Sequence, residues 1–239
     1  MLDWIFPITC ELCGESSPLP LCESCMRRLP TVPRPICLYC GAPTDGGCED
    51  AWHCSHCRAQ PRSYDFARSA LVPDDHVTKL LHDFKYHGAL YLSAAFGELL
   101  NRLWEETPEL TEYDDWVLVP VPASDEHLYR RGYNQAAELA MRLASRRHLR
   151  LLELLERRRT AVSSQTRLAA SERRRNALQA YHLKRRLPRV IPPHLLLIDD
   201  VYTTGSTARA CAQALHKLPG VQRVGVLTLV RIRRRAASL

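Results

Sequence analysis

No stretch of this chain approaches the eighteen or so consecutive apolar residues of a membrane-spanning helix, and its amino terminus has no basic segment running into an apolar core. Both absences lead to the expectation of a soluble, intracellular protein. Aromatic residues make up only 7% of the 239 residues and do not interleave with the arginines, so the stacking platforms of a sequence-reading RNA module are missing. Cysteine almost vanishes after the first quarter of the chain: nine of the ten precede Arg58, and Cys211 stands alone beyond it. Cys211 shares one helix face with Ala208, Ala212 and Leu215, which makes it a core residue rather than a reactive thiol.

Charge is present in excess of one sign. The net charge is +7, but the stretch from Glu126 to Arg189 holds seventeen basic and five acidic residues, so it alone carries +12 and the remainder is acidic. Such a concentration fits a basic face that meets phosphates, on a small ligand or on nucleic acid. A single cluster such as Arg157, Arg158 and Arg159 reads as a solvated helix face rather than a binding site.

The early cysteines form four C-x-x-C pairs: Cys10 with Cys13, Cys22 with Cys25, Cys37 with Cys40, and Cys54 with Cys57. Two residues between thiolates let both sulfurs point inward from one turn at about 2.3 Å from a zinc ion, and two such turns complete a tetrahedron. Pairing neighbours gives one zinc on Cys10, Cys13, Cys22 and Cys25 and a second on Cys37, Cys40, Cys54 and Cys57; an interleaved pairing satisfies the same chemistry. Disulfides are the competing use, and they belong to secreted chains. Gly14 and Gly41 follow two of the pairs, where the turn around a metal needs positive φ. Cys48 is unpaired, and His53 and His56 stand close enough in sequence to replace a thiolate. Four-thiolate sites leave no open position for water, so the expected role is structural. The change in cysteine usage and the turn-like RAQPRSY at 58–64 divide the chain into a zinc-binding module, 1–62, and a second domain, 63–239.

From residue 63 the pattern alternates. FARSALV, WVLVPVP, LLLIDD and RVGVLTLVR read as strands, while VTKLLHDFKY, LYLSAAFGELLNRLW, NQAAELAMRLASRR and STARACAQALHKL read as helices. This is the pattern of an α/β domain with a parallel or mostly parallel sheet and helices on both faces. Ligands of such folds sit beyond the carboxyl ends of the strands. The strand Leu195–Ile198 runs there into Asp199 and Asp200, and Thr203 to Thr207 turn into the next helix. Amides at a helix start, with threonine and serine hydroxyls, suit a phosphate monoester. Carboxylates repel that phosphate; vicinal hydroxyls and a divalent cation are their natural partners. A ribose carrying a 5′-phosphate meets both demands. The alternative nucleotide loop requires Gly-Lys followed by Ser or Thr, and VYTTGST has no lysine.

The stretch from Leu195 to Thr207 resembles the phosphoribosyl pyrophosphate (PRPP) signature of type I phosphoribosyltransferases. FKYHG at 84–88, VPVP at 119–122, RRGYNQ at 130–135, and SQTRL with ERRRN between 164 and 176 follow the cysteine pairs in the order of the ComF family, which the chain resembles over nearly its whole length. The resemblance implies a type I phosphoribosyltransferase fold, a mostly parallel twisted sheet with helices on both faces, behind a small double zinc ribbon. It implies that Asp199 and Asp200 hold the ribose hydroxyls and that Thr203, Thr204, Gly205, Ser206 and Thr207 wrap the 5′-phosphate. Ala123 and Ser124 resemble the pyrophosphate loop, with a loose match at Asp125. Arg130 and Arg131 resemble part of a mobile loop closing over the pyrophosphate, and Lys85 is a further candidate for neutralising phosphate. The implied activity is a magnesium-dependent phosphoribosyl transfer with release of pyrophosphate, a glycosyltransferase reaction whose acceptor is not legible. The family's link to natural competence implies cytoplasmic work at the inner membrane with imported single-stranded DNA, directly or through a DNA-uptake or helicase partner. The competing implication is a non-catalytic adaptor that senses PRPP or a nucleotide. His82 and His87 flank the Lys85 motif but read as surface histidines at a helix end, and Asn134 reads as a helix cap beside Tyr133.

Overall fold

The computed structural model describes residues 8–44, 52–59, 62–158 and 180–232. Cys48 and the SQTRL and ERRRN motifs lie outside the described residues. Strands β1 (Phe66–Leu71), β2 (Val117–Pro120), β3 (Arg150–Leu151), β6 (His194–Tyr202) and β7 (Arg223–Arg231) form one sheet in the order β1-β7-β6-β2-β3, with every neighbouring pair parallel. A separate antiparallel pair joins β4 (Leu155–Arg157) to β5 (Tyr181–Leu183). All four strands read from periodicity are present; β3, β4 and β5 are too short to give a periodic signal.

The sheet is apolar on both faces, as parallel sheets covered by helices must be. Along β6, Leu196 and Ile198 join the core cluster that contains helices α4 (Ser93–Glu105) and α7 (Gln135–Arg147), with Phe96, Leu100, Leu139 and Leu143. Leu195 and Leu197 join the opposite cluster, with Cys211 and Leu215 of helix α8 (Ser206–Leu215). Cys211 is fully buried, in keeping with a core role, and burial pushes its thiol well above the usual range. Among the described residues no helix is long and apolar enough to cross a membrane.

The cysteine-rich segment straddles the edge strand β1. Residues of its first half, Leu21, Met26 and Leu29, pack into the α4 and α7 face, whereas Tyr39 and Tyr64 belong to the α8 face. The chain between them runs along β1, where Val32 N–H donates to the Ala70 carbonyl (3.3 Å), Val72 N–H to that of Pro30 (2.9 Å), and Ala67 N–H to that of Tyr39 (2.7 Å). An otherwise open sheet edge is thereby covered.

The thiols gather by neighbouring pairs: Cys10, Cys13, Cys22 and Cys25 form one set and Cys37, Cys40, Cys54 and Cys57 the other, with the sulfurs of each set within 4.8 Å of one another. Two sulfurs on a tetrahedral zinc at about 2.3 Å stand about 3.8 Å apart. Cys13 and Cys22 sulfurs lie 3.7 Å apart and those of Cys40 and Cys54 3.8 Å, so both sets have the spacing of two structural zinc sites. Among the described residues no histidine completes either set. Gly14 and Gly41 have φ of +75° and +69°, as the turns require. Zinc with four thiolates carries a formal charge of about −2, and an arginine faces each set: Arg28 donates to the Cys25 sulfur (3.1 Å) and Arg231 to that of Cys40 (3.3 Å).

Purified protein is expected to release two zinc ions per chain in a colorimetric assay, and Cys10→Ser with Cys13→Ser to release one; undiminished zinc in that variant refutes the neighbour pairing. On the sheet, Leu197→Ala removes a fully buried side chain from β6 and is expected to cost about 2–5 kcal/mol, read as a lower urea midpoint at unchanged slope.

Candidate functional site

The carboxyl ends of β2 and β6 open on a cleft of roughly 210 Å³. Strand β6 runs further than its aliphatic stretch, through both acids to Tyr202, because its pairing with β7 continues: Asp199 faces Thr228 and Tyr202 faces Arg231. The acids are therefore the end of the strand itself rather than the start of a loop. Both line the cleft, with Asp200 N–H donating to Asp199 Oδ1 (2.9 Å). Burial, and then the neighbouring Asp200 charge, push the Asp199 carboxyl well above the usual carboxylate range. Asp200 faces Lys85, whose Nζ lies 2.7 Å from Oδ2 with both side chains more than four-fifths buried. Lys85 reaches it from helix α3 (Asp75–Tyr86), whose start is capped by Asp74 accepting from Val77 N–H (2.7 Å).

Beyond Tyr202 the chain forms the Thr203–Thr207 loop and enters α8. Gly205, at its start, has no side chain to cap it, and the first turn has no acidic residue. Thr204 Oγ1 donates to Ser206 Oγ (2.9 Å) and accepts from Ser206 N–H (3.3 Å), which draws the loop into a tight ring of hydroxyls. Thr207 reaches the cleft that holds the acids. A helix start whose cap residue has no side chain attracts an anion, through the dipole and the amides themselves.

The segment after β2 is helical: α6 (Asp125–Arg131) begins with Ser124, whose hydroxyl accepts from His127 N–H (3.2 Å), and has no buried residue. Arg130 and Arg131 thus belong to a helix in this structure, where the resemblance implied a mobile loop. They also part company. Arg131 lines the cleft, donates to Gln135 Oε1 (3.0 Å) and to the Tyr86 hydroxyl (3.2 Å), and lies over the Tyr86 ring. Arg130 points outward, its nearest carboxylate being Glu126 at 4.0 Å. Ala123 lines the cleft. Asn134 caps α7 by accepting from Ala136 N–H (3.1 Å) and also donates to the Val121 carbonyl (3.0 Å), holding the strand end against the helix start. The Tyr133 hydroxyl donates to the Phe84 carbonyl, tying α7 to α3. His82 and His87 are exposed, and His87 pairs with Asp83 (2.8 Å).

His127 and Tyr181 line the cleft and escaped the sequence reading, and Arg157, read there as part of a solvated helix face, ends strand β4 and lines the cleft too. His127 lies four residues before Arg131 on α6, so the helical spacing could have found it. Burial, then the charges of Arg131 and Arg157, hold its imidazole below the usual range. Arg157 and Tyr181 are opposite partners in the β4–β5 pair, with the guanidinium 5.5 Å from the ring centre, and nothing in a sequence separation of 24 residues announces that meeting. The cleft therefore presents two carboxylates within a wall of cations, Lys85, Arg131 and Arg157, beside an anion-ready helix start.

The double zinc ribbon domain matches residues 1–60, the segment that holds both thiol sets. Over most of its length the chain is similar to Competence protein F of Haemophilus influenzae, 28% identical over 216 residues, covering 88% of this chain and 90% of that protein. Competence protein ComFC of Bacillus subtilis is 28% identical over 221 residues, 88% of this chain and 84% of that one. DNA utilization protein YhgH of Escherichia coli K12 is 30% identical over 216 residues, 87% of this chain and 91% of that one. Similarity of this extent shows that the chain belongs to the ComF family.

Proposed function

We propose that the cleft binds PRPP and transfers its phosphoribosyl group to an acceptor with release of pyrophosphate, in a protein that serves the uptake or use of DNA. The observation that carries the reading is the meeting, at the end of one central strand, of two carboxylates with an uncapped helix start across a cleft walled by cations. A 5′-phosphate fits the Thr203–Thr207 loop, where amides and hydroxyls donate to it. The ribose hydroxyls donate to Asp199 and Asp200, and Lys85, released from Asp200, turns to the phosphate oxygens. The diphosphate lies toward Ala123, Ser124 and Arg131, with Arg130 free to swing from the surface. Two carboxylates beside a diphosphate are also the oxygen donors magnesium takes, and magnesium would neutralise the departing charge.

In the transfer, the bond from the anomeric carbon to the diphosphate oxygen breaks with its electron pair leaving on pyrophosphate. An acceptor lone pair forms the new bond to that carbon, and the acceptor's proton passes to the departing pyrophosphate. The residues of the cleft stabilise developing charge and exclude water; no general base is required of them. The names of the relatives, competence and DNA utilization proteins, support a place in DNA uptake. The reading puts the protein in the cytoplasm, reaching the inner membrane through a partner.

Isothermal titration with PRPP and magnesium is expected to show binding that Asp199→Asn combined with Asp200→Asn weakens at least tenfold, since each charge-assisted hydrogen bond is worth about 1.5–3 kcal/mol. Unchanged affinity in the double variant would sink the assignment of the acids, and binding without pyrophosphate release in any extract would leave the adaptor reading in its place. Fluorescence anisotropy with a labelled single strand is expected to show DNA binding that weakens steeply with salt; no binding at low salt assigns any DNA contact to a partner.

A further inference from the structure

We propose that the second ribbon is the support that holds the phosphate loop in its binding shape, with Tyr64, Tyr202 and Arg231 as positioning residues. The consequence for ligand affinity rests on the PRPP reading above; the mechanical claim does not.

The loop is folded down onto a phenol. Gly205 has φ of +72°, and a Cβ placed there would stand 2.2 Å from the Tyr202 hydroxyl oxygen, so both backbone and space demand glycine. Tyr202 is the last residue of β6, and its ring is the floor on which the turn closes. Its hydroxyl meets that of Tyr64 at 2.5 Å, with both residues buried. Burial pushes both phenols up, Tyr202 to about 12, so each keeps its proton and one donates to the other.

From Tyr64 the contact continues into the metal site. The Tyr64 ring lies flat on Tyr39, with ring centres 4.5 Å apart and planes 6° from parallel. Tyr39 sits between Cys37 and Cys40 in one of the turns that hold the second thiol set, and its hydroxyl accepts from Ser63 N–H (2.8 Å). A second connection runs through Arg231, which is only 6% exposed. Its guanidinium lies 4.5 Å from the centre of the Tyr202 ring and donates to both the carbonyl and the sulfur of Cys40. A buried cation is costly without a compensating charge, and the thiolate cluster around zinc supplies one. Arg231 is thereby fixed by the metal site and in turn fixes the Tyr202 ring. The first thiol set packs on the other face of the sheet, with Arg28 as its arginine, and among the described residues no such chain of contacts joins it to the loop.

The test is hydrogen–deuterium exchange of the full chain, read on the 203–210 peptide against peptides of β6 and β7, with zinc counted in the same samples. Tyr202→Phe and Tyr64→Phe keep the rings and remove one hydrogen bond, and each is expected to speed loop exchange about fivefold while zinc per chain and strand exchange stay as in the wild type. A role confined to general stability would move the strands as well. Cys54→Ser, which empties the second set, is expected to open the loop at least as far, and Cys13→Ser, in the first set, to leave it closed. Loop exchange in both phenylalanine variants equal to wild type overturns the proposal, as does equal opening by Cys13→Ser and Cys54→Ser; should Cys54→Ser not fold, the phenylalanine variants decide. PRPP affinity with magnesium, measured alongside, is expected to fall about fivefold in Tyr202→Phe. A wild type that binds no PRPP removes the phosphoribosyl reading and leaves the exchange result to judge the support.

Discussion

The burial of β6 on both faces is the constraint from which the site follows. A strand walled by helices on either side has room only for apolar side chains along its middle, and Leu195, Leu196, Leu197 and Ile198 are all fully buried. Carboxylates can appear only where the walls end, which is at the carboxyl end of the strand. Asp199 and Asp200 emerge there within a strand still paired to β7 through Asp199, Val201 and Tyr202, so their backbone is held by a strand ladder and not by a loop. Rigid elements hold functional side chains more closely than loops do.

The double ribbon does more than hang from the amino terminus. Its two halves lie in the two core clusters, one on each face of the sheet, and the chain between them pairs with the edge strand β1. Each thiol set meets an arginine, which offsets the negative charge that four thiolates place around a divalent ion. Removing metal from either site would therefore leave unbalanced charge beside a core and not merely a slack terminus. The ribbons and the sheet are parts of one packing problem.

Electrostatics in the cleft depend on how closely unlike groups are confined. Lys85 and Asp200 neutralise one another while Asp199, buried beside a like charge, is pushed toward its protonated form. Arg131 and Arg157 face the same space and depress the His127 imidazole after burial has done so. An anion entering this space meets cations that are already desolvated and oriented, where each interaction is worth more than in water.

Much of this was legible in order of residues alone. C-x-x-C spacing determined two four-thiolate sets, because a metal ion rewards a local turn that any chain can make. Strong alternation of apolar strands and amphipathic helices determined a parallel α/β sheet, since burial on both faces leaves no other pattern. The aliphatic run ending in Asp199 and Asp200 put both acids at the end of a buried strand for the same reason, and there they line a cleft. Tertiary structure alone decided that Lys85 grips Asp200, that Arg131 turns into the cleft and Arg130 away from it, and that Tyr181 brings Arg157 to the wall. It also decided that Tyr64, 138 residues before Tyr202, meets it hydroxyl to hydroxyl beneath the Thr203–Thr207 loop. Periodicity and spacing record only what a residue does with its near neighbours along the chain; which distant side chains meet is set by how helices and ribbons pack across a sheet, and a pairwise contact of that kind leaves no period behind.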